Sequence, residues 1–136
     1  MKLLNLQAIY PKKCLSKGDP NHQKYPYLLR DLSINRPNHV WCTDITYIKM
    51  SKGFTYLMAI IDVYSRRIVS WGLSTSMDKE FCLDVLKKGI LHATPDYLNS
   101  DQGCQFTSND WIETVRNADI KVSHDGIGRQ HCFIKF

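Results

Sequence analysis

Two apolar runs separated by a short polar break dominate the middle of the chain. Val40 to Ile48 and Phe54 to Asp62 are rich in β-branched and aromatic residues, and Ser51-Lys52-Gly53 between them predicts a hairpin turn. The second run is apolar on both faces from Thr55 to Ile61, which fits a central strand covered on both sides. Ser65-Arg66-Arg67 interrupts the pattern, and Ile68 to Leu73 supplies a third strand. The period then lengthens. Phe81, Cys82, Val85, Leu86, Gly89 and Ile90 recur at helical spacing behind Met77-Asp78, with Asp78 and Glu80 in the first turn, Lys87 and Lys88 in the last, and Pro95 as the stop. Tyr97 to Ser100 reads as a short strand. Ser108-Asn109-Asp110 caps a second helix through Trp111, Ile112, Val115 and Arg116, and Ile120 to Val122 is a further short strand. Strands in a meander followed by helix, strand and helix predict an α/β fold, a mixed sheet with helices packed on it. Trp41, Tyr47, Phe54, Tyr56, Trp71 and Trp111 are read as core or sheet-packing residues.

Residues 1–37 form a different region. Pro11, Gly18, Pro20, Pro26 and Pro37 break any long regular element, while Tyr25, Tyr27, Leu28, Leu29 and Leu32 are apolar enough to dock on the domain. Residues 1–39 hold seven basic and two acidic side chains, which accounts for the whole formal charge of +5, and the remainder is balanced. Such an arm can contact phosphate through residues such as Lys12 and Lys13, or act only as a solvated extension. With 136 residues the chain is one domain's worth. No apolar stretch approaches the roughly 18 residues of a membrane span, and no signal-peptide core follows the first residues, so the chain reads as cytoplasmic and without a membrane partner. The five cysteines and five histidines show no paired spacing, which argues against a disulfide framework and against zinc.

The candidate chemistry lies in two aspartates. Asp44 sits inside an apolar run, where a carboxylate needs a cation, a metal or several donors, and Asp101 follows the fourth strand, at the sheet edge where α/β proteins place ligands. If the first and fourth strands are neighbours, both reach one side of that edge. Oxygen-only ligands favour Mg²⁺ or Mn²⁺, and such a site suits phosphoryl transfer. Spacing alone also allows Asp44 to be satisfied by the hydroxyls of Thr43 or Thr46, and Asp101-Gln102-Gly103 to be a plain turn.

Four ordered segments carry a resemblance: Asn38 to Ile48 with Trp41-Cys42-Thr43-Asp44-Ile45-Thr46-Tyr47, Gly53-Phe54-Thr55-Tyr56-Leu57, Asp62-Val63-Tyr64-Ser65-Arg66-Arg67, and Asn99-Ser100-Asp101-Gln102-Gly103 on to Ser108. They resemble the integrase-core domain of bacterial insertion-sequence transposases, of the retroviral-integrase superfamily. The resemblance implies an RNase H-like fold, DNA transposition and integration, and DNA (transposon ends and target) as partner. It also implies Mg²⁺ or Mn²⁺ held by an Asp-Asp-Glu triad, of which Asp44 matches the first acid and Asp101 the second. The glutamate is expected after thirty-five intervening residues, one position past Phe136, and Gln130 to Phe136 depart from the family's pattern. The resulting expectation is a basic arm at 1–37, a catalytic core at 38–129 and a divergent, truncated or frameshifted tail at 130–136. On that reading the sheet is incomplete at its C-terminal side, the fragment is inactive by itself, and exposed apolar surface makes it self-associate or pair with an intact transposase.

Rival readings are a non-catalytic nucleic-acid-binding or subunit-interaction remnant, and a metal nuclease with an unorthodox third acid. For that third acid, Glu113 on the second helix and Asp125 in a Gly-flanked loop are poor candidates. Arg66 and Arg67 are candidate DNA-phosphate contacts, with a solvated turn as the competing role.

Overall fold

The computed structural model describes residues 25–125. The arm before Tyr25, with Lys12 and Lys13, and the tail from Gly126 onward lie outside the described residues. The elements run β1 (Val40–Lys49), β2 (Phe54–Asp62), β3 (Ile68–Ser74), α1 (Lys79–His92), β4 (Tyr97–Ser100), α2 (Asn109–Asn117) and β5 (Lys121–His124). They form one five-stranded sheet in the order β3-β2-β1-β4-β5. β1, β2 and β3 pair antiparallel, while β4 is parallel to β1 and β5 parallel to β4. The antiparallel half follows from short turns: Gly53 takes φ 90° between β1 and β2, a conformation open to glycine at no cost. The parallel half needs crossovers, supplied by α1 and α2.

Strand alternation sorts the side chains. Trp41 of β1, Met58 and Ile60 of β2, Leu98 of β4 and Val122 of β5 share one face and join one apolar cluster with Cys82, Val85 and Leu86 of α1 and Trp111, Ile112 and Val115 of α2. Phe106 packs edge-on against Trp111 at 5.0 Å between ring centroids. Close approach of α1 to β3 requires Gly72, where an added Cβ would lie 2.7 Å from a Val85 methyl. Ser70 on the same strand donates from its hydroxyl to the Val85 carbonyl at 2.8 Å. Ser108 caps α2 as expected, accepting from the Trp111 amide at 3.4 Å.

The other face differs from the sequence expectation. Trp41 and Trp111 are core residues, but Trp71 is 58% exposed and Leu73 54%, because alternation along β3 turns them away from α1 and α2. Tyr47 and Phe54 are also exposed, at the hairpin end of the sheet, where Tyr47 packs edge-on against Tyr56. Coverage of β2 on both sides is likewise incomplete. Met58 and Ile60 are fully buried under the helices, whereas Leu57 and Ile61 on the reverse face are only half-buried. Among the described residues Cys82 is a free, buried thiol and Cys104 a free, exposed one.

Part of the lead-in docks, as its apolar residues predict. The Pro26 carbonyl accepts from the His124 amide at 3.4 Å, and the Leu28 amide donates to Ser123 Oγ at 3.0 Å. Tyr25 packs edge-on against the His124 ring and lies beneath the Arg116 guanidinium. Residues 25–28 therefore cover the outer edge of β5, which would otherwise present unpaired backbone groups.

Candidate metal centre

Parallel pairing brings the two aspartates together. Cys42 is the register partner of Asn99, so Asp44 and Asp101, each two residues further along, fall at one level on neighbouring strands at the C-terminal edge. Asp44 is half-buried. One of its oxygens accepts from the Ile45 amide at 2.8 Å, and Thr43 Oγ1 is buried without a partner, so Thr43 does not satisfy it. Burial raises the Asp44 carboxyl above its ordinary range; the Ile45 amide opposes this, and the charges of Asp101 and Asp125 add to it. Asp101 is exposed, and its Oδ1 accepts from the Gly103 amide at 2.8 Å, so the turn expected at Asp101-Gln102-Gly103 is present together with the acid. Among the described residues each carboxylate thus makes one hydrogen bond, to a backbone amide.

Two carboxylates at one level on neighbouring strands suit a hard divalent cation. The donor set is oxygen only, and no group of three or more His, Cys, Asp or Glu side chains among the described residues is arranged to hold a metal. His124, on β5 beside this edge, is buried with Nε2 unpartnered. Burial lowers its basicity, while a backbone hydrogen bond at Phe106 and the charges of Asp101 and Asp125 act in the other direction. Glu113 is exposed on α2.

Arg66 and Arg67 are not part of this edge. They occupy the β2–β3 turn beside the start of β1, where Arg66 has φ 62° and the Asp62 amide donates to the Arg67 carbonyl at 2.9 Å. Arg67 helps line a cavity of about 570 Å³ with Asn38, Asp62, Ser65 and His92. The organiser there is Asp62, 2% exposed, which accepts from the backbone amides of Asn38 at 3.1 Å and Ser65 at 3.3 Å and from the Ser65 hydroxyl. Sequence reasoning assigned Asp62 no role of its own; the signal was an acid closing an apolar strand with a serine three residues later.

The sequence pattern of the integrase core domain family matches residues 34–130. The chain belongs to this family. Relatives of the integrase core include the transposase for insertion sequence element IS904 of Lactococcus lactis subsp. lactis (strain IL1403), 34% identical over 131 residues and covering 90% of this chain and 52% of that protein. The putative transposase InsO for insertion sequence element IS911B of Escherichia coli (strain K12) is 35% identical over 89 residues, 64% of this chain and 45% of that protein. The chain therefore spans about half the length of these transposases. Among solved structures, the HTLV-2 integrase catalytic core domain in complex with magnesium matches with a TM-score of 0.60 at 27% identity, covering 65% of this chain and 60% of that chain. The mixed sheet with its helices is thus the RNase H-like fold of integrase cores. No described helix is long and apolar enough to cross a membrane.

Proposed function

We propose that this chain is an integrase-core module of DNA transposition, in which Asp44 and Asp101 hold Mg²⁺ or Mn²⁺ and DNA is the substrate. The observation that carries the proposal is the placement of the two acids at one level on adjacent parallel strands, inside a segment whose sequence matches the integrase core family. A bound divalent ion supplies charge neutralisation for phosphoryl transfer at a DNA phosphodiester. The chain's own residues do the positioning. The Ile45 and Gly103 amides each fix one oxygen of a carboxylate and so set the orientation of the ligand pair. Burial, and after it the charge of Asp101, disfavours the ionised Asp44 carboxylate, and a divalent cation held by the two acids would offset both.

Arg66 and Arg67, together with Lys12 and Lys13 of the arm, are assigned to DNA phosphates rather than to bases, with affinity that falls as salt rises. Self-association through the exposed Trp71 and Leu73 is the second proposed contact, since an apolar patch on a sheet face favours burial against another surface.

The test is incubation of the full chain with end-labelled transposon-end and random-sequence DNA in Mg²⁺ or Mn²⁺, beside an Asp101→Asn variant. No product is expected from the chain by itself; metal-dependent nicking or strand transfer that disappears in the variant would overturn that expectation and support Asp101 as a ligand. Identical product in both would overturn the assignment of Asp101, and no product in either would leave DNA binding as the module's only role.

A further inference from the structure

The β1–β2 hairpin carries exposed aromatic rings on the strand that bears Asp44. Tyr47 of β1 stands directly opposite Tyr56 of β2, and Lys49 directly opposite Phe54. Alternation puts these four on the face that carries Trp41, Met58 and Ile60, yet the helices leave them open there: Tyr47 is 59% exposed and Phe54 56%. The two tyrosine rings meet edge-on at 5.2 Å between centroids, a contact that uses one ring face only and leaves room for a further flat group on Tyr47. Between Asp44 and Asp62 the sequence has Lys49 and Lys52 and no acidic residue, and both lysines are exposed. Tyr47 lies three residues beyond Asp44, roughly 10 Å along the strand, which is about the height of three stacked bases. Partial burial, then Tyr56, Asp101 and Asp44, raise the Tyr47 phenol above its ordinary value, so the ring sits within electrostatic reach of both acids.

We propose that the β1–β2 hairpin is a stacking surface for unpaired bases of a DNA strand beside the acid pair, with Tyr47 as the platform, Phe54 extending it, and Lys49 and Lys52 on the phosphates. The inference rests on the reading of DNA as the substrate and deepens it, from contact with phosphate to a preference for an unpaired strand. Exposed rings interleaved with lysines match what such a strand offers, flat base faces joined by negative charge. A duplex keeps its base faces in its own stack, so the rings gain little from it. Pairing with a second copy is the competing use of the same residues. It would bring Lys49 and Lys52 of both hairpins together with no acid in either hairpin to offset them, so like charge disfavours it. The exposed Trp71 and Leu73 do not compete for this surface, because Trp71 pairs with Ala59 and Leu73 with Leu57, on the opposite face of β2 from Tyr56.

The experiment is titration of the full chain, with Ca²⁺ as the divalent ion, into two labelled DNAs: a blunt duplex, and the same duplex with a single-stranded overhang containing 2-aminopurine, a fluorescent adenine analogue whose emission falls on stacking. Anisotropy reads affinity and the 2-aminopurine signal reads stacking. The wild type is expected to bind the overhang DNA about fivefold or more tighter than the blunt duplex and to quench the analogue. Tyr47→Ala is expected to bring the two affinities within about twofold and to abolish the quench, with an unchanged circular dichroism spectrum, while Tyr47→Phe keeps both effects. Lys52→Ala is expected to weaken both DNAs alike and to reduce the salt slope by about 1. Equal wild-type binding of the two DNAs, or a preference and quench that survive Tyr47→Ala, overturns the inference and leaves DNA as the substrate. Wild type that binds neither DNA overturns both readings. Dimerisation that is lost in Tyr47→Ala while DNA binding is unchanged assigns the hairpin to a second copy and overturns the inference. Should Tyr47→Ala not fold, the wild-type quench decides by itself: its absence on the bound overhang overturns stacking.

Discussion

Asp62 and Asp44 lie on adjacent antiparallel strands of one sheet, yet they are kept in opposite ways. Asp62 is 2% exposed and surrounded by donors, two backbone amides and a hydroxyl, so the fold supplies what its charge needs. Asp44 is half-buried with a single amide, and two further acids contribute like charge. A carboxylate with a full set of donors stabilises a fold, whereas one with too few is stable only when something else arrives. The first knits the β2–β3 turn to the start of β1; the second is the one proposed to take a cation.

Substitutions should separate the two most sharply at Asp62. Asp62→Ala strands the Asn38 and Ser65 amides and is expected to cost about 2–3 kcal/mol in urea denaturation. A loss below about 0.5 kcal/mol would erase the contrast. Ser65→Ala removes one hydroxyl donor and leaves both amides in place, so the expected loss is about 1 kcal/mol by the same measurement. Asp44→Asn should do the reverse in chelator-treated buffer, leaving stability unchanged or raising it by at most about 0.5 kcal/mol once solvent screening is allowed for. A clear loss on that substitution would mean that Asp44 is as well satisfied as Asp62.

The smallest effect is in the pH profile. Because the folded Asp44 carboxyl lies above its ordinary value of 3.8, both states are protonated below 3.8 and no penalty applies. As pH rises through the elevated folded value the unfolded state has already ionised, so this contribution to stability is lost. The stability difference between Asp44→Asn and wild type should therefore widen as pH rises out of that range and be absent below it. His124 has the opposite slope. Its buried ring resists protonation, so its contribution is lost as pH falls below its ordinary 6.5.

The strands and helices were legible because local pattern decides them: β-branched runs at 40–48 and 54–62, a serine at the start of α2, and apolar residues at helical spacing in α1. The neighbouring of Asp44 and Asp101 was legible too, given that β1 and β4 pair. Other features depend on long-range geometry. Nothing local in Trp71 or Leu73 says that both helices pack on the opposite face. Asp62 was hidden for a related reason, since two of its three donors belong to a turn whose shape depends on Arg66 having a positive φ.

The docking of residues 25–28 against β5 makes the lead-in a mechanical tether. Its grip falls on Ser123 and His124, the two residues just before Asp125. A pull at Tyr25 would therefore be felt first by the last strand of the sheet, so the entry of the chain into the domain and its final strand share one linkage.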